Sequence, residues 1–222
     1  MYIIQLFLIF ALSATLQAAE VSYEINDPKA KQLLEEVKKN VLSEPSWVFD
    51  FELVVNFPDM DPEVINGQLK QDGQKIKADL GAQVITSDGK TVWTYLKDFN
   101  EVQISNFDED MQELFLSPSQ IVRIYESGEY IYQYSGNQEF RGRQLQLIEF
   151  RPADPKASEY VKINLWLDMK SKVPVGVMIN ARNGVRYNLF IEQHQKGVKH
   201  HAGVFTFNPA EYPGVEIDDL RF

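Results

Sequence analysis

Between Asp27 and Leu42 apolar residues return every three or four positions, at Ala30, Leu33, Leu34, Val37, Val41 and Leu42, while Lys31, Glu35 and Lys39 form an opposite charged row. The spacing predicts an amphipathic helix, capped by Asn26-Asp27 and entered through Pro28. At Trp47 the period switches to two. Trp47, Phe49, Phe51, Leu53, Val55 and Phe57 point one way and Val48, Asp50, Glu52, Val54 and Asn56 the other, which predicts a strand whose aromatic face is covered.

Short alternating segments separated by turn residues follow. They run over 64–71, 74–80 and 84–86, then through Ser87-Asp88-Gly89-Lys90 into 91–96, and on to 101–107. Residues 108–127 interrupt the strands and predict one or two short helices carrying Met111, Leu114, Phe115, Leu116, Ile121, Val122, Ile124 and Tyr125. Strands resume over 130–134, 139–150, 160–169, 173–181 and 185–193, the last two joined at Arg182-Asn183-Gly184. About ten antiparallel strands with two helical inserts predict a mainly β, α+β fold, a single curved sheet forming an unclosed barrel with helices on its concave face. Strands and helices do not alternate, and one domain is the economical reading.

Composition narrows the function. With 44% hydrophobic and 24% charged residues, 222 residues support a globular core. The net charge of −10 and the lack of any basic run argue against nucleic acid as partner. With no cysteine there is no disulfide, thiolate nucleophile or lipid attachment site. GxSxG, HExxH, GxxxxGK[ST] and GxGxxG are all missing, so no enzyme machinery is legible and no cofactor is implied.

His194, His200 and His201 read as a solvated loop rather than a metal site, because adjacent histidines on a turn point apart. Asp108, Glu109, Asp110 and Glu113 lack the glycine turn of a calcium loop and read as a helix start. Asp50 and Glu52 share a strand face but read as solvent-facing. There remain 27 aromatic residues (14 Phe, 10 Tyr, 3 Trp), which serve either as plain core or as the lining of a ligand cavity inside a curved sheet.

The first charged side chain is Glu20, and the apolar run from Ile3 ends at Leu16-Gln17-Ala18-Ala19. This predicts a cleaved secretory signal peptide over 1–18 and a mature domain over 19–222, since about 15 apolar residues fall short of the ~20 that span a bilayer.

Val84-Ile85-Thr86-Ser87-Asp88-Gly89-Lys90-Thr91-Val92-Trp93-Thr94-Tyr95 resembles the SDGKTLWxY hairpin of the periplasmic outer-membrane lipoprotein carrier (LolA) family. Phe205-Thr206-Phe207-Asn208-Pro209, continuing through Gly214-Val215-Glu216-Ile217-Asp218-Asp219-Leu220-Arg221, resembles that family's FxFxxPxGVxVxDxR terminus. The order of elements matches along essentially the whole mature chain.

The resemblance implies an unclosed barrel with a helical lid that holds the acyl chains of triacylated lipoproteins. It also implies a monomer that carries them across the periplasm from an inner-membrane ABC transporter to an outer-membrane receptor. The expected cavity is lined by Trp47, Phe49, Phe51 and Leu53, by Ile76, Ala78 and Leu80, by Trp93 and Tyr95, and on the lid by Leu114, Phe115, Ile121 and Ile124. Ile76, Ala78 and Leu80 are expected to lie partly near water in the free protein. Where the family carries an arginine implicated in lid closure, this chain reads Lys70-Gln71-Asp72-Gly73, so Lys70, Lys75 or Lys77 is the expected substitute. The alternative is a lipid- or lipoprotein-sensing module of the same fold. A lipidated receptor of that fold is not expected, for want of a cysteine.

Overall fold

The computed structural model describes residues 26–107, 121–201 and 203–221. The signal-peptide segment, Leu114, Phe115 and the acidic cluster at 108–113 lie outside them. Helix α1 (Pro28–Val41) starts where the sequence placed it. Asp27 Oδ1 accepts from Lys29 N at 2.7 Å and Ala30 N at 3.4 Å, and its Oδ2 accepts from Tyr134 N at 3.0 Å. Burial works against the Asp27 carboxylate, yet these backbone donors hold its pKa below the ordinary value. One side chain thus caps the helix and ties it to the sheet.

The strands are β1 (Ser46–Asn56), β2 (Glu63–Asp72), β3 (Lys75–Asp79), β4 (Gln83–Ser87), β5 (Thr91–Leu96), β6 (Glu101–Asn106), β7 (Tyr130–Phe140), β8 (Arg143–Pro152), β9 (Tyr160–Asp168), β10 (Val173–Ala181), β11 (Arg186–Lys196) and β12 (Glu216–Asp219). They form one curved sheet in the order β12-β6-β5-β4-β3-β2-β1-β11-β10-β9-β8-β7, with β12 and β7 as its two edges. Every pairing is antiparallel except the parallel contact of β12 with β6. The chain leaves β11, crosses the outer face and enters β12 beyond β6, which sets that one direction.

Helix α1 lies on the inner face. Its Ala30, Leu34, Val37 and Val41 are buried in the same cluster as Ile148, Phe150, Leu165, Leu167 and Val177. Trp47 of β1 fixes the end of the helix, its indole N–H donating to Val41 O at 3.1 Å and Glu44 O at 3.0 Å. The segment 130–150, expected as two strands broken at 135–138, is a hairpin that turns at Arg141-Gly142 instead. Gly136, at φ 89°, marks a shift of register inside β7 rather than a turn, so the strand runs on through it.

The β4–β5 hairpin forms as its sequence predicts. Asp88 Oδ1 accepts from Lys90 N and Thr91 N, both at 2.8 Å, and Gly89 has φ 90°. A Cβ at Gly89 meets nothing nearer than Gln74 Cβ at 3.5 Å, so any penalty there comes from backbone conformation and not from crowding. Gly89→Val is expected to lower stability by ~1–3 kcal/mol, and an unchanged denaturation midpoint would refute the turn assignment.

Candidate functional site

Residues directly opposite each other in the ladders share a face, so the register sorts the expected site residues. Phe49 lies opposite Leu69, and Leu69 opposite Ala78. Phe51 and Leu53 lie opposite Ile191 and Leu189 of β11. The inner face therefore gathers Trp47, Phe49, Phe51, Leu53, Ile76, Ala78 and Leu80 into one apolar surface. Trp47 and Phe49 stack at 5.3 Å between ring centroids.

Trp93 and Tyr95 do not belong to that surface. Trp93 opposes Thr86, which opposes Lys77, and Tyr95 opposes Val84 and Val102. This places both rings on the outer face. There Tyr95 meets the C-terminal crossover, 4.4 Å from the Tyr212 ring and 5.9 Å from that of Phe207. On the inner side of β4–β6 stand Ser87, Thr94, Gln103 and Ser105 among Ile85 and Val92, so the apolar surface gives way to polar residues beyond β3.

Burial along the inner face is uneven. Under α1 the residues of β8, β9 and β10 are sealed, whereas Phe51, Leu53 and Leu80 remain only half-buried. The expected near-water positions shift accordingly. Ile76 is 8% exposed and Ala78 2%, both in the closed core, and Leu80 alone of the three keeps substantial exposure.

Phe51 owes its position to a glycine. Gly67 lies directly opposite on β2, and a Cβ there would fall 2.5 Å from Phe51 Cζ. The ring thus reaches over the backbone of the next strand, into space that any side chain at 67 would fill.

Of the expected lid, Ile121 is buried and Ile124 half-buried, both packed in or against the cluster that holds Phe49 and Ile76. The 3-10 turn Ile124–Glu126 is fastened to α1 and β7. Lys38 Nζ donates to Glu126 Oε1 at 2.5 Å and to Tyr125 Oη at 3.2 Å, and the Tyr125 and Tyr132 rings meet edge-on at 5.9 Å. Burial, with a hydrogen bond to Glu35, pushes the Tyr125 phenol up to about 12. Glu126 and Tyr125 hold the Lys38 ammonium above its ordinary range.

None of the three lysines that could substitute for the family's lid-closing arginine faces the apolar inner surface. The register puts Lys70, Lys75 and Lys77 on the outer face, and Gln71, which faces inward, donates to Gly73 O at 3.0 Å.

The candidate chemical groups have separate partners. Asp50 accepts from Gln68 Nε2 at 2.7 Å, while Glu52 pairs with Arg141, so the two carboxylates do not act on a common point. Arg141 also stands over the Phe190 ring. His194 is not in a loop. It lies in β11 opposite Phe49 with its ring 6.2 Å from Trp47, and burial pushes its pKa down. His200 packs edge-on against Phe205. Among the described residues no three His, Asp or Glu side chains gather as a metal site.

No protein-family model matches the sequence, and a search of curated proteins gives no match. Solved structures do match. The chain is similar to an uncharacterized conserved protein from Thermus thermophilus, with 11% identity over 86% of this chain and 99% of that one, at a TM-score of 0.56. It is also similar to LprF from Mycobacterium bovis (13% identity, 79% and 97% of the two chains, TM-score 0.48) and to a LolA superfamily protein from Nitrosomonas europaea (14%, 80% and 97%, TM-score 0.41). Of these three the Thermus thermophilus protein superposes best, and at 11% identity the likeness is one of fold. The fold is a single unclosed, curved and almost wholly antiparallel sheet, the architecture that the order of strands along the sequence leads one to expect.

Proposed function

We propose that this chain is a non-catalytic carrier that shields the acyl chains of lipoproteins against the inner face of its sheet. The observation that supports the reading most directly is the uneven burial of that face, sealed under α1 but half-open at Phe51, Leu53 and Leu80. Half-open apolar surface is what an acyl chain can take up without first prising a closed core apart. At about 0.8 kcal/mol per buried CH₂, a 16-carbon chain gains roughly 12 kcal/mol as an upper bound, enough to hold it out of water with no covalent step. Release then needs a receptor whose surface binds the chains better.

In this reading residues 1–18 are a cleaved signal peptide and 19–222 a monomeric periplasmic domain. It receives triacylated lipoproteins from an inner-membrane ABC transporter and delivers them to the outer membrane. The net charge of −10 accords with a shuttle that does not adsorb to anionic membrane surfaces. Mature protein mixed with a labelled triacylated lipoprotein is expected to elute from size exclusion as a 1:1 soluble complex. The absence of co-elution at every mixing ratio would sink the proposal.

A further inference from the structure

On the outer face, the side turned away from α1, the register sets Lys70 of β2 directly opposite Lys77 of β3. Side chains so opposed have Cβ atoms about 5 Å apart, and like charges there weaken the strand pair. Neither lysine forms an ion pair among the described residues, although the chain carries 32 Asp and Glu against 22 Lys and Arg. Both are half-buried. Folding alone gives no reason to keep two unneutralised ammonium groups face to face.

Both lysines line one cavity, of about 420 Å³, between the sheet and the C-terminal crossover. Its far wall is aromatic. Phe207 and Tyr212 stack at 4.7 Å with an 18° angle between planes, and Tyr95 closes on Tyr212 at 4.4 Å. Glu211 also borders the cavity, where its Oε1 accepts from Asn208 Nδ2 at 3.1 Å. Thr86, opposite Lys77, adds a hydroxyl-bearing residue to the lining.

We propose that this cavity binds a phosphate monoester, its dianion held between Lys70 and Lys77 and its organic part laid against Tyr95, Phe207 and Tyr212. Two ammonium groups match a dianion in charge. Lysine binds phosphate as a point charge, whereas a carboxylate is best matched by the planar fork of arginine. The site is independent of the acyl-chain reading, since it lies on the opposite face of the sheet and shares no residue with it. Phosphate monoesters come as soluble esters and as phosphatidic acid headgroups, and the test has an arm for each.

Phenyl phosphate is titrated into the mature protein by calorimetry, with benzoate as a monoanionic control. In parallel, the protein is floated with phosphatidylcholine vesicles containing phosphatidic acid. Phenyl phosphate is expected to bind saturably at one site, more tightly than benzoate and more weakly as salt rises. Lys70→Glu and Lys77→Gln should each weaken it by roughly tenfold or more. Lys70→Glu should also raise the melting temperature of the free protein, because it turns a repulsive cross-strand pair into an attractive one, and that rise shows the loss of binding is not unfolding. Lysine-dependent binding to the vesicles alone assigns the headgroup as the source of the phosphate. The proposal is overturned if neither probe binds, or if binding survives both substitutions unchanged.

Discussion

Leu53→Glu is expected to leave a folded protein that no longer binds a fluorescent fatty-acyl probe. Leu53 stands on the inner face of β1 between Leu189 and Ile65, half-buried, in the stretch that α1 does not seal. A carboxylate placed there keeps access to water and avoids much of the several kcal/mol that a fully buried, unpaired charge demands. The same carboxylate lies in the path of any methylene chain on that surface and would have to be desolvated for the chain to bind. Leu165, 1% exposed under the helix, supplies the contrast. Leu165→Glu should unfold the domain, and Ile76→Glu, now seen to lie in closed core, should behave like it rather than like Leu53→Glu. Circular dichroism and probe fluorescence read the two properties separately. A Leu53→Glu variant that is unfolded, or folded and binding like wild type, would refute the inner-face site.

What the sequence disclosed and what it hid divides by the range of the interactions involved. Helix α1 was legible from Asp27-Pro28 and its apolar spacing, because capping and amphipathicity are local. So was the β4–β5 hairpin, because Asp88-Gly89 sets its own turn. Within β1 the alternation separated Phe49 and Phe51 from Asp50 and Glu52 correctly.

Alternation says nothing, however, about which face of one strand continues onto which face of the next, and a single step of register reverses the answer. The resemblance leads one to expect Trp93 and Tyr95 in the cavity lining, on the inner face. Tyr95 is instead covered on the outer face by Phe207 and Tyr212, more than a hundred residues later in the chain, which no local pattern reports. The same blindness applied to Lys70 and Lys77. Their opposition across β2 and β3 appears once the register is fixed, and the cavity they line exists only because the C-terminal crossover returns over them. Between 134 and 139 the alternation breaks off, where the sheet instead accommodates a bulge at Gly136 and the strand continues.

Gly67 is the residue whose role could least be read from sequence, and Gly67→Val is expected to destabilise the protein by about 3 kcal/mol or more. Its backbone φ is not in the left-handed region, so conformational freedom is not the reason for a glycine at this position. The reason is close approach. A Cβ would sit 2.5 Å from Phe51 Cζ, 2.9 Å from Phe51 Cε2 and 2.5 Å from Asp79 O. The ring can rotate away, but the carbonyl belongs to the backbone of the adjacent chain segment and moves only if the β2–β3 pairing moves with it. The two obstacles are separable by a double-mutant cycle. Phe51→Ala alone removes buried apolar area and should destabilise in its own right. In the Phe51→Ala background, Gly67→Val should then be less harmful than in wild type, by the part of the strain that the ring imposes, and still harmful by the part that Asp79 O imposes. Urea denaturation of the four proteins measures both parts. Strict additivity would show that the Phe51 ring does not rest on Gly67 in solution, and the packing that holds Phe51 at the half-open edge of the inner face would have to be reassigned.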